Sequence, residues 1–162
     1  MVERSEHHRI RGTRIRNPGR GSSRAGIFAT KHRAPLITDD LRDDLHEYLG
    51  GTVRGLGGIP QGVGGVADHI HLLVSLNATH CLSDFMRELK RSSSKWIAER
   101  SQNRDFKWQE GYAAFTVSAS SRENVRDYIA RQEEHHRREN SRDELAKFLR
   151  KSGVAVDERY FE

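Results

Sequence analysis

His69 and His71 are separated by one residue in the stretch Gly65-Val66-Ala67-Asp68-His69-Ile70-His71-Leu72-Leu73-Val74. On a β-strand, residues i and i+2 share a face with Cα atoms about 6.6 Å apart, so both imidazoles can lean toward one cation. On an α-helix the same spacing turns them about 200° apart and prevents it. The β-branched and aliphatic run Ile70 to Val74, with Gly64-Gly65 before it and Asn77 after it, favours the strand. The pair taken alone reads either as metal ligands or as two surface histidines. Tyr128 and Gln132 lie four apart in a segment of helical period, which stacks them on one side about 6 Å apart along the axis. Tyr128, beside Val125 and Ile129, reads from spacing as a core tyrosine with its hydroxyl at the rim. Gln132 carries no assignment by itself. Ser92-Ser93-Ser94 either binds phosphate or supplies small residues where a helix approaches a sheet. Arg87, Lys90, Arg91 and Lys95 either track a nucleic-acid backbone or are simply exposed.

These residues need elements to position them. A short strand is expected at Ile27-Phe28-Ala29-Thr30, followed by Thr38 as a helix N-cap with Asp39 and Asp40 in the first turn. Leu41, Leu45, Tyr48, Leu49, Thr52, Val53 and Leu56 then recur at helical spacing up to Gly57-Gly58, a C-cap signal. Ile59 to Val66 reads as a strand that turns at Ala67-Asp68 into the histidine strand, making an antiparallel hairpin. An amphipathic helix is expected over about residues 82 to 100, on Leu82, Met86, Leu89, Ser93, Trp96 and Ile97. A further strand, Tyr112 to Ala119, puts Ala113, Phe115 and Val117 on one face. Ser120-x-x-Glu123 reads as a capping box opening the Tyr128 helix, which runs to His135-His136. A second box, Ser141-x-x-Glu144, opens a last helix with Leu145, Phe148 and Leu149 inward, closed by Gly153.

The order predicts an α+β, ferredoxin-like βαββαβ fold: an antiparallel sheet with helices on one face, plus two C-terminal helices. In that topology the first and third strands are the central pair, and the other face of the histidine strand is expected to be open to ligands.

The chain has 162 residues, enough for one domain. Its formal charge of +5 resides in residues 1–24, where seven arginines face two glutamates; the rest carries 21 basic and 21 acidic residues. Residues 1–24 are expected to form a basic, disordered arm and residues 25–162 a single domain. The arm either seeks phosphates or is merely solvated. The single cysteine, Cys81, excludes an intrachain disulfide and an all-thiolate zinc site. With no apolar signal segment and no run of about 18 apolar residues, the expectation is a cytoplasmic protein with no membrane association.

Several segments occur together in a recognisable order: Phe28-Ala29-Thr30-Lys31-His32-Arg33, the Gly64 to Leu73 hairpin, Phe85-Met86-Arg87-Glu88-Leu89-Lys90 with Ser93-Ser94-Lys95-Trp96-Ile97, Trp108-Gln109-Glu110-Gly111-Tyr112, and Tyr128-Ile129-x-x-Gln132-x-x-His135-His136. Over residues 26–162 the chain resembles the single-tyrosine HUH transposases of bacterial insertion sequences, which mobilise single-stranded DNA. The resemblance implies that His69, His71 and Gln132 hold Mg²⁺ or Mn²⁺ and that Tyr128 is the nucleophile, forming a 5′-phosphotyrosine and releasing a 3′-hydroxyl. It implies a homodimer in which the tyrosine helix of one subunit can complete the site of the other. It also implies DNA hairpins near the element ends as partners, with Arg87, Lys90, Arg91 and Lys95 as DNA contacts. His135 is one heptad from Tyr128 and faces either the site or solvent.

The amino end departs from the family pattern of a longer apolar and aromatic first strand. A short first strand is expected to leave part of the histidine strand unpaired, as a misassigned start or an out-of-frame stretch would produce. Two other functions fit the residues: an inactive relative that only binds nucleic-acid hairpins, and a metal-dependent hydrolase that uses the histidines without a covalent step.

Overall fold

The computed structural model describes residues 21–132 and residue 150. Four strands and three helices are found among them: β1 (Ser22–Ala29), α1 (Asp39–Gly55), β2 (Ile59–Val66), β3 (His69–Leu76), α2 (Leu82–Arg100), β4 (Ala113–Val117) and α3 (Arg122–Ala130). The strands form one antiparallel sheet in the order β2-β3-β1-β4, so β1 and β3 are the central pair as the ferredoxin-like topology requires.

The parity of β3 divides the molecule into layers. Ile70, Leu72, Val74 and Leu76 point to one face, where Leu41, Leu45, Leu49 and Val53 of α1 and Phe85, Met86, Leu89 and Ile97 of α2 cover them. His69, His71, Leu73 and Ser75 point to the other. That face is not open: α3 lies on it, packing Val125, Tyr128 and Ile129 with Leu73, Ala25, Ala113, Phe115 and Val117. Every residue of β3 is buried as a result, as expected of a strand covered on both sides. The split unit keeps its two helices on one face, and the first C-terminal helix covers the opposite one.

The first strand is longer than its sequence suggested. β1 starts at Ser22 and pairs with β3 along its whole length, from Ser22 opposite Leu76 to Ala29 opposite His69. Arg, Ser and Gly are poor strand formers, but a central position supplies ladder partners on both sides and overrides propensity. The serines and arginine also find partners: Ser23 donates to Gln61 Oε1 at 3.1 Å, and Arg24 to the Thr116 hydroxyl. No part of β3 is left unpaired on that side. Ser22 to Arg24, assigned to the arm, belong to the sheet.

Helix ends match in place more than in chemistry. Thr38 and Ser121 occupy the N-cap positions of α1 and α3, but neither side chain makes a capping bond. The Ser120-Glu123 box is not formed; a single 3₁₀ turn, Ala119–Ser121, precedes α3, and the Ser118 hydroxyl bonds those of Ser120 and Ser121. The C-terminus of α1 closes as the glycines predicted. Gly57 takes φ 82°, its N–H reaches Arg54 O and that of Gly58 reaches Val53 O, both at 3.0 Å, satisfying two terminal carbonyls. Ser93 is fully buried; its hydroxyl donates to Leu89 O at 2.7 Å and accepts from Trp108 Nε1 at 3.0 Å. Ser93 therefore ties α2 to the segment before β4 and is not available to phosphate. His135, His136 and the Ser141-Glu144 helix lie outside the described residues.

Candidate active site

His69 and His71 share the α3-facing side of β3, with ring centroids 4.9 Å apart. They are 2% and 3% exposed. His71 lies opposite Ile27 of β1 and Gly64 of β2. The missing side chain at Gly64 is a spatial requirement: a Cβ there would stand 2.2 Å from Ile129 O of α3. Gly62, opposite Leu73, is close to Arg126 and Ile129. The glycines of β2 thus form a seat on which α3 approaches the sheet at backbone distance.

This approach delivers Tyr128. Its ring, 8% exposed, meets His71 edge-on with centroids 5.8 Å apart. Tyr128 packs against Val125 and Ile129 and also contacts His71. Gln132, one turn further, is 2% exposed, and its amide nitrogen donates to Tyr128 O at 3.3 Å. With Nε2 so engaged, Oε1 is the acceptor end of the side chain.

Asp68 and Arg33 complete the surroundings. Asp68 Oδ1 is 2.6 Å from His69 Nδ1, and its Oδ2 is 3.3 Å from Arg33 Nε. Burial by itself would raise the Asp68 carboxyl; the His69 hydrogen bond and the charges of His69 and Arg33 outweigh it and hold it at about 2. An ionised carboxylate only accepts, so His69 Nδ1 is the donor, and in the neutral ring that places the lone pair on Nε2. Sequence reading treated Asp68 as a turn residue. Its position directly before the first histidine was the signal, because metal-binding imidazoles commonly donate their other nitrogen to a carboxylate.

The four basic residues of α2 sit in the opposite layer from the histidines. Arg87 pairs with Asp84 and Glu88, and Arg91 with Glu88. Lys90 donates to Gln109 O and Gly111 O, both at 2.7 Å, holding the segment before β4. Burial pulls its ammonium pKa down, with Glu110 opposing. Lys95 is exposed and borders a cleft with Ala98, Glu99, Gln102 and Arg104.

A sequence profile described as "Transposase IS200 like" matches residues 25–132, from the fourth residue of β1 to Gln132. The chain belongs to this transposase family. Its members are the single-tyrosine HUH transposases that the motifs resembled. The chain is similar to the ISDra2 transposase TnpA of Deinococcus radiodurans, with 27% identity over 113 residues, 65% of this chain and 80% of the relative. It is also similar to the crystal structure of a candidate transposase of D. radiodurans R1, with TM-score 0.57, 25% identity, and coverage of 68% of this chain and 89% of the other. A REP-associated tyrosine transposase bound to a REP hairpin shares the fold at TM-score 0.52 and 17% identity, covering 68% of this chain and 66% of the other. No helix among the described residues is long and apolar enough to cross a membrane.

Proposed function

We propose that this transposase cleaves and rejoins single-stranded DNA at insertion-sequence ends, with Tyr128 as nucleophile. The observation that carries the reading is the edge-on contact of Tyr128 with His71, on the face that also holds His69. In the reaction the Tyr128 hydroxyl loses its proton and its oxygen bonds to the scissile phosphorus. The bond from phosphorus to the 3′ oxygen breaks, and that oxygen leaves as a 3′-hydroxyl once protonated. A 5′-phosphotyrosine stores the bond energy, so a later 3′-hydroxyl can reverse the step and exchange strands without ATP.

His69, His71 and Gln132 are the residues that would hold a divalent ion; the amide oxygen and the positions that three protein ligands leave for water and a phosphate oxygen suit Mg²⁺ or Mn²⁺. When bound, it supplies Lewis acidity at the phosphate oxygens and offsets their charge. Asp68 keeps the lone pair of the neutral His69 ring on Nε2, and the packing of α3 on the sheet buries the Tyr128 ring. A DNA hairpin as partner is supported by family membership and by the shared fold of the relative bound to a REP hairpin.

Incubation with a single-stranded suicide substrate and Mn²⁺ tests the reading. The expected product is a covalent protein–DNA adduct that Tyr128→Phe abolishes. Cleavage that survives Tyr128→Phe would establish the hydrolase instead, and binding with neither adduct nor cleavage the inactive hairpin binder.

A further inference from the structure

We infer that Arg33 is a positioning residue of the histidine pair, acting through Asp68 to fix which nitrogen of His69 is offered to a cation. The inference rests on the reading of His69 and His71 as metal ligands. The Asp68 carboxylate is a bridge: Oδ1 takes the Nδ1 proton of His69 at 2.6 Å and Oδ2 takes the Arg33 Nε–H at 3.3 Å. A carboxylate held at one oxygen can still swing about its terminal torsion, which is broad. Held at both, it keeps His69 in the tautomer whose lone pair is on Nε2. Arg33 Nη2 also stands 3.4 Å from His69 Nδ1; with the Nδ1 proton given to Asp68 at the shorter 2.6 Å, this is an approach of two donors and not a second hydrogen bond.

The backbone that aims Arg33 is unusual. His32 and Arg33 have φ of 58° and 51°, consecutive left-handed residues with side chains, a conformation that persists only where neighbours impose it. Here they do. Lys31 N–H bonds to Lys107 O, Thr30 N–H to Asp68 O and Ile37 N–H to Ala67 O, each at 2.9 Å. The fully buried Thr30 hydroxyl donates to Ala34 O at 2.7 Å. The loop carrying Arg33 is therefore bonded through its backbone to the turn carrying Asp68, and the two move as one piece.

The test uses the full chain and two readouts that need no DNA: Mn²⁺ affinity by calorimetry and the His69 tautomer by ¹⁵N-detected NMR of the metal-free protein. Asp68→Asn is expected to weaken Mn²⁺ binding roughly tenfold to a hundredfold, and Arg33→Ala about tenfold, the range found for partners behind a metal ligand. Arg33→Lys recovers part of the loss. Because Arg33 acts through Asp68, Arg33→Ala in the Asp68→Asn background weakens binding no further. The wild-type spectrum shows His69 protonated at Nδ1, and Arg33→Ala shows a mixture of tautomers. The Arg33 side chain is about half exposed, so its removal leaves no buried void. Wild-type Mn²⁺ affinity and an unchanged tautomer in Arg33→Ala would overturn the inference alone, as would additive losses in the double variant. A wild-type chain that takes up no Mn²⁺ overturns the metal reading and this inference with it.

Discussion

Tyr128, His69 and His71 make one neighbourhood out of residues about sixty positions apart, and each position has a different origin. The histidines share a face because β3 alternates, which two residues of sequence suffice to specify. Tyr128 reaches His71 through a packing contact between layers, which no local pattern encodes. The same distinction separates Ser93 from a phosphate site. Its hydroxyl serves Trp108 Nε1, so Ser93→Ala is expected to destabilise the fold by about 1–3 kcal/mol by leaving a buried donor unpaired. Urea unfolding with an unchanged m-value would record it. Lys90 behaves similarly. Lys90→Met removes both bonds to the Gln109 and Gly111 carbonyls and should cost about 1–3 kcal/mol, whereas Arg91→Gln at the exposed neighbour should leave stability within about 0.5 kcal/mol.

At the scale of elements, the decisive contact is that of α3 with β2. Gly64 has no room for a Cβ beside Ile129 O, so Gly64→Ala must lift the helix. The expected cost is about 1–3 kcal/mol, the usual range for overpacking, together with loss of adduct formation although no reacting group is removed. Gly51, exposed in α1 with nothing near its would-be Cβ, is the control: Gly51→Ala should stabilise by about 0.5–1 kcal/mol and leave the adduct yield unchanged. Most elements were legible in the sequence for physical reasons. α1, α2 and the β2–β3 hairpin have strong periods and turn signals, and α2 was expected over 82–100 as found. β1 was read short because its first residues are polar and its stability comes from two flanking strands, a non-local cause. The placement of α3 on the histidine face was hidden for the same reason, although the glycines of β2 that seat it were in view. The left-handed turn at His32-Arg33 was not read from the sequence: His is only a weak signal for positive φ and Arg is none.

For the whole molecule, the layering separates two kinds of charge. The histidine face carries the candidate chemistry, and α2 carries Arg87, Arg91 and Lys95 in the opposite layer. If these three contact nucleic acid, neutralising all of them weakens DNA binding and flattens its salt dependence by roughly 0.7–0.9 in slope per residue, without changing the rate of adduct formation at saturating DNA. An unchanged slope would assign them to solvent and to their pairs with Asp84 and Glu88.

The central claim is that His69, His71, Tyr128 of α3 and Gln132 just beyond its end surround one cation, and anomalous diffraction from crystals grown with Mn²⁺ tests it most directly. The account predicts a single strong peak bonded to both imidazoles and to the Gln132 amide oxygen, beside the Tyr128 hydroxyl. A peak bound to other residues, or none at saturating Mn²⁺, would contradict it.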